Sequence, residues 1–166
     1  MSVNTETERK FLIVRPEDDY LSSLPCTRIL QTYLIPEKEG MTDRVRMRGN
    51  SGNYVYTHTK KVRLSHMSSM EDETEISKEE YESLLLRSNP ALTPISKTRF
   101  LLKKDNLTFE IDVYPFWKKQ AVMEVELPGE NTEFDFPEEI TLIREVTGNH
   151  DYSNYSLSRR VPEEDI

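Results

Sequence analysis

Cysteine is nearly missing from this chain: Cys26 is the only one. A lone thiol closes no internal disulfide, so nothing here asks for an oxidising compartment. Long apolar runs are missing too. FLIV and SLLL fall far short of the ~20 residues that span a bilayer, and no apolar stretch followed by a cleavage site stands near the start. These absences set the expectation of a cytoplasmic protein with no membrane partner. Histidine is scarce, and His58, His66 and His150 do not stand at metal-ligand spacings. A basic excess is also lacking. Lys and Arg number 22 against 30 Asp and Glu, a net charge of -8, which argues against a nucleic-acid partner. Any polyanion must be met by local bases or by metal ions.

What the chain does have, in 166 residues, is charge placed at every second position. One domain spanning 1–166 is expected at this length, with no repeat, low-complexity tract or linker to divide it. TETERKFLIV, residues 5–14, sets Glu6, Glu8 and Lys10 in phase. On a helix Glu6 and Lys10 would be an ordinary solvent pair, whereas on a strand all three stand on one face. The same period recurs. Arg44, Arg46 and Arg48 oppose Val45 and Met47, and Lys60 runs in phase with Tyr54, Tyr56 and His58. Further on come the doublets Glu73 and Glu75, Lys97 and Arg99, Glu110 and Asp112, and Glu124 and Glu126. Each segment has strand length and strand period.

Turn signals at GNSGN, residues 49–53, and at KDN before TFEIDVY join neighbouring strands as antiparallel hairpins. A helix is predicted from Ser77, where Ser77 and Glu80 form a capping-box pattern, to the residues before Pro90. A second is predicted to open at Pro137, to carry Ile140, Ile143 and Val146, and to end near Gly148. Shorter helical pieces are read at RPEDDYLSSL and YSNYSLSRR.

A closed barrel of roughly eight strands has one face toward a lumen and one that needs cover. The apolar stripes of the helices need the apolar faces of the strands, so the charged faces are expected inside. Acids and bases confined together suit a linear polyphosphate gripped by arginine forks and lysine point charges. Crowded carboxylates repel unless a divalent cation neutralises them, and hard oxygen ligands select Mg²⁺ or Mn²⁺.

These residues resemble the CYTH, or triphosphate tunnel metalloenzyme, family. The E-x-E-x-K of Glu6, Glu8 and Lys10 carries the resemblance first. LQTYL, VRMR with Arg46 and Arg48, HTK with Lys60, ETEI, KTR, FEIDVY with Asp112, and MEVEL follow in order to about residue 157. The resemblance implies an α+β fold: a closed eight-stranded antiparallel barrel with a charged lumen and helices packed outside. It implies phosphate binding by Lys10, Arg46, Arg48, Lys60, Lys97 and Arg99. Glu6, Glu8, Asp112, Glu124 and Glu126 would be metal ligands or would position water, with Glu6, Glu8 and Lys10 catalytic and Glu73 and Glu75 supporting. The activity it implies is metal-dependent hydrolysis of a small triphosphate, inorganic tripolyphosphate first, by a monomer or homodimer. The alternatives are a class IV adenylate cyclase, a thiamine triphosphatase, or a polyphosphate-binding module without turnover. One departure stands out: where a basic residue often precedes Y-x-N in the family, this chain reads NHDYSN, with Asp151 before Tyr152 and Asn154. Trp117 is expected to pack between a strand and a helix rather than to stack on a ligand ring.

Overall fold

The computed structural model describes residues 2–65 and 67–165, with side chains described from Thr7 onward. Eight strands follow the alternating segments: β1 Ser2–Val14, β2 Cys26–Leu34, β3 Met41–Asn50, β4 Asn53–Arg63, β5 Ser68–Ile76, β6 Ile95–Lys104, β7 Leu107–Val113 and β8 Gln120–Glu126. Around the barrel they run β5-β4-β3-β2-β6-β7-β8-β1, and β1 closes the ring by pairing with β5. Every pairing is antiparallel. The fold is therefore the α+β class expected from the sequence, a closed eight-stranded barrel, with one added strand.

β1 does double duty: residues 2–7 pair with β5, and residues 8–14 with β8. The turn after β3 needs a glycine at Gly49. A Cβ there, at φ +150°, would sit 1.9 Å from the Asn53 carbonyl oxygen.

Helices α1, Asp18–Leu21, α2, Lys78–Leu84, and α3, Asn154–Arg159, lie at the predicted places. The Ser77 hydroxyl accepts from the Glu80 amide at 3.1 Å, closing the predicted cap. The helix predicted from Pro137 is not formed. Residues 137–140 make a single turn, and the chain then enters β9, Leu142–Glu145, antiparallel to β1. The spacing of Ile140, Ile143 and Val146 suited a helix, but β1 beyond its β5 partner has backbone groups to satisfy. The 141–146 segment supplies them, with Val14 N donating to Thr141 O at 2.9 Å and Val146 N to Lys10 O at 2.8 Å.

The apolar strand faces do point outward, under cover. Phe11, Ile13, Phe109, Ile111, Met123 and Val125 are buried beneath Leu21, Ile140, Phe134 and Phe136, with Phe11 and Phe136 edge to face at 5.3 Å. On the opposite wall α2 lays Tyr81 over Val45 and Leu34. A third cluster lies inside. Leu12, Ile95 and Val122, in phase with the charged residues of their strands, meet Tyr114, Trp117, Val146, Tyr152 and Leu157. The charged part of the lumen thus ends on an apolar floor closed by the C-terminal segment.

Candidate active site in the barrel lumen

The lumen holds a cavity of about 360 Å³. Strand pleating delivers its walls: β1 contributes Glu8 and Lys10, β3 Thr42, Arg44 and Arg46, β5 Glu71 and Glu73, β6 Arg99, β7 Glu110, and β8 Glu124 and Glu126. Of the sequence-derived site residues, Glu8, Lys10, Arg46, Arg99, Glu73, Glu124 and Glu126 meet here. The side chain of Glu6 lies outside the described residues.

Lys60 does not meet them, which corrects the expectation. It pairs with Asp43, and its neighbour His58 with Val45, so both point away from the lumen. Its ammonium lies 3.7 Å from the Glu37 carboxylate on the outer surface. The inward phase of β4 is Thr57, Thr59, Lys61 and Arg63, and Lys61 takes the place expected of Lys60. A signal was present in the sequence: two small threonines fit opposite Arg46 and Arg44, whereas Tyr56 is needed under α2, its ring 4.8 Å from Tyr81. Arg48 and Glu75 keep the inward phase but are exposed beyond the cavity wall. Lys97 and Asp112 sit behind the wall, 2% and 1% exposed, with Lys97 Nζ donating to Asp112 Oδ2 at 2.7 Å. Arg44, Lys61, Arg63, Glu71 and Glu110 join the wall, as do the uncharged Ser153, Asn154, Tyr155 and Ser156.

The acids are crowded at one place. The Glu124 charge beside it, with burial, pushes the Glu8 carboxyl up to about 8. Burial alone would raise Glu124 as well, but Lys10, Arg99 and Lys97 outweigh it and hold Glu124 well below the usual carboxylate range. Lys10 Nζ lies 3.2 Å from Glu124 Oε1 and donates to the Tyr152 carbonyl at 3.2 Å. Two carboxylates thus crowd each other in a polar lumen, and their oxygens are of the kind a hard divalent cation takes. Among the described residues no three acidic, histidine or cysteine side chains stand ready-made around a metal position.

Two of the bases are incompletely partnered. Arg46, 8% exposed, gives Nε and Nη2 to Gln31 Oε1 at 3.1 and 2.7 Å, a neutral partner. Burial, with Arg44 and Arg99 close by, pulls its pKa down to about 9. The buried Nε of Arg44 has no hydrogen-bond partner among the described residues, and its nearest carboxylate is Glu71, 3.9 Å from Nη2. An anion in this cavity would relieve both.

No protein-family model matches the chain, and no curated protein matches it by sequence. Solved structures do. The inorganic triphosphatase NE1496 is 26% identical over 95% of this chain and 97% of its own, with a TM-score of 0.60. The fold and the order of the charged strands match the CYTH, or triphosphate tunnel, family. Two further structures of similar fold are more distant. The PH1819 protein from Pyrococcus horikoshii is 21% identical, covers 76% of this chain and 80% of its own, and has a TM-score of 0.54. HpAC1 from Hippeastrum, described as an adenylyl cyclase candidate with a dominant triphosphatase activity, is 17% identical over 74% of this chain and 80% of its own, at a TM-score of 0.51. In this chain the departing NHDYSN segment brings His150 to the cavity wall and leaves Asp151 exposed. Tyr152 is buried in the floor, and Asn154 accepts from the Tyr114 hydroxyl at 2.5 Å. Trp117 packs in the floor as expected, 3% exposed, with its ring N–H on the Pro162 carbonyl at 3.0 Å. Among the described residues no helix is long and apolar enough to cross a membrane.

Proposed function

We propose that this protein is a divalent-metal-dependent hydrolase of small triphosphates, with inorganic tripolyphosphate as first-choice substrate. One observation carries the reading: a single cavity joins two incompletely partnered arginines, Arg46 on a neutral amide and Arg44 with an unpartnered Nε, to two crowded carboxylates, Glu8 and Glu124. A metal-bound polyphosphate supplies both missing partners. Lys10, Arg44, Arg46, Lys61 and Arg99 would take phosphate oxygens, the arginines as forks and the lysines as point charges. Glu8 and Glu124, with Glu6 and Glu126 in the same E-x-E motifs, would hold Mg²⁺ or Mn²⁺. A cation held by these carboxylates would neutralise charge on the phosphoryl group and orient water. Lys10, beside Glu124, adds a fixed positive charge against the charge that develops during transfer. The similarity to the inorganic triphosphatase NE1496 supports hydrolysis over the cyclase reading. Burial of Trp117 leaves no indole face for a thiamine ring.

Purified protein should release phosphate from tripolyphosphate in Mg²⁺ or Mn²⁺ and not in EDTA. Glu8→Gln should lower that rate at least about 100-fold, as expected for loss of a group that holds or orients reacting partners. ATP and thiamine triphosphate run alongside, with cyclic AMP followed in the ATP tube. No turnover of any of the three, with tripolyphosphate still raising the melting temperature, would leave a polyphosphate-binding module.

The Glu8 proton gives a pH dependence with a definite sign. A cation must displace that proton, so the apparent metal affinity should rise about tenfold per pH unit until pH reaches about 8. Without metal the sign is opposite. Folded Glu8 binds its proton more tightly than unfolded Glu8, so metal-free stability should decline as pH rises from about 4.5 toward 7, where loss of the buried Lys97 proton begins to act in the opposite sense. Melting curves across this range, with and without Mg²⁺, check both statements. A metal-free melting temperature that climbs across it would contradict the assignment.

A further inference from the structure

β7 turns Asp112 toward the lumen, yet both of its carboxylate oxygens are already taken. Oδ1 accepts from Arg99 Nε at 2.8 Å, and Oδ2 accepts from Arg99 Nη2 at 2.9 Å and from Lys97 Nζ at 2.7 Å. The two bonds to Arg99 form a fork-to-fork pair, which fixes the plane of the guanidinium as well as its place. Lys97 adds a third bond from behind, so the carboxylate cannot rotate without breaking a charge-assisted contact. On the lumen side Arg99 Nη1 donates to Glu110 Oε2 at 3.1 Å. Three of the five N–H donors of a guanidinium are thus committed, and two remain. Arg99 reaches the cavity wall, whereas Asp112 and Lys97 do not. For Asp112 to ligate a metal it would have to give up these bonds from a position 1% exposed.

We propose that Asp112 is a positioning residue: backed by Lys97, it holds the Arg99 guanidinium so that its remaining donors meet polyphosphate oxygens, and it holds no metal itself. The proposal rests on the polyphosphate reading of the cavity. Asp112 then acts wholly through Arg99, and its loss must register as weaker substrate binding rather than as a changed metal requirement.

The test uses the full chain with tripolyphosphate as probe, in Asp112→Asn, Arg99→Gln and the double variant. Asp112→Asn should raise KM at least tenfold, leave the Mg²⁺ concentration for half-activation within twofold, and add nothing further in the Arg99→Gln background. A shifted Mg²⁺ midpoint, or a loss undiminished in that background, overturns the proposal. Asp112→Asn strips Lys97 of a buried counter-charge, so Asp112→Asn combined with Lys97→Met serves as a second variant that restores neutrality. A separate readout needs no ligand. The Nε–H of Arg99 should give a slowly exchanging NMR signal in wild type and lose its protection in Asp112→Asn. If wild type neither binds nor cleaves tripolyphosphate, the polyphosphate reading falls, and the Arg99 signal alone then decides the positioning role. An unprotected Nε–H in wild type overturns it.

Discussion

Replacing Arg46 with methionine is expected to weaken tripolyphosphate binding at least about 100-fold while leaving the ligand-free melting temperature level or higher. The two halves of this result have one cause. Arg46 is buried beside Arg44 and Arg99 with a neutral amide as its direct partner, so the empty protein carries an ionic group with little compensation. Methionine removes that cost and keeps most of the volume. The bonds to Gln31 are lost as well, so Gln31→Leu is combined with Arg46→Met to avoid a stranded carbonyl. Binding suffers because a phosphate oxygen loses two charge-assisted bonds, each worth roughly 1.5–3 kcal/mol. Calorimetric titration with tripolyphosphate, paired with melting curves, reads both halves. An unchanged affinity would remove Arg46 from the binding site.

Leu12→Ala should produce the largest loss of stability. Leu12 is 0% exposed, in the same phase of β1 as Glu8 and Lys10, and packs with Ile95, Val122, Tyr152 and Leu157 where the charged lumen ends. Deleting its side chain leaves a hole among strands that cannot collapse, because the barrel ladder fixes their spacing. A buried Leu→Ala change costs about 2–5 kcal/mol. For a chain of this length that is roughly a 5–15 °C fall in melting temperature. Leu12→Met, which nearly conserves volume, should cost under about 1.5 kcal/mol. Tripolyphosphate should still bind Leu12→Ala, since the floor lies apart from the charged wall. A fall smaller than about 2 °C would mean that water already reaches Leu12.

The barrel was legible because charge alternation marks strands more plainly than hydrophobicity does. Arg44, Arg46 and Arg48 against Val45 and Met47 leave little choice of face. β4 was not legible in the same way. Tyr56, His58 and Lys60 alternate as well as Thr57, Thr59 and Lys61 do, and only the rings under α2 and the partners on β3 decide which phase faces in. The segment 140–146 fits two periods at once, and the open edge of β1, a tertiary fact, selects the strand. Asp112 poses a third kind of problem. Its residue type is correct for a metal ligand, but its oxygens are committed to Lys97 and Arg99, and partners do not show in spacing. Gly40 and the 153–156 segment reach the cavity without any charge signal, because walls are also built of uncharged residues.

The pairing of β1 with strands from the middle and from the far end of the chain has a kinetic meaning. Lys10 stands opposite Glu124, and Thr7 opposite Ser68, so neither partner can form until a long loop has closed. The local hairpins β3 to β4 and β6 to β7 can zip early, whereas ring closure requires the most distant strands to meet. During synthesis β1 must wait, one edge unpaired, until β8 has left the ribosome. The two carboxylates that crowd each other, Glu8 and Glu124, come together only at that last closure. Assembly of the acidic centre and completion of the barrel are one kinetic event, and refolding followed by fluorescence should show both arriving in the same slow phase.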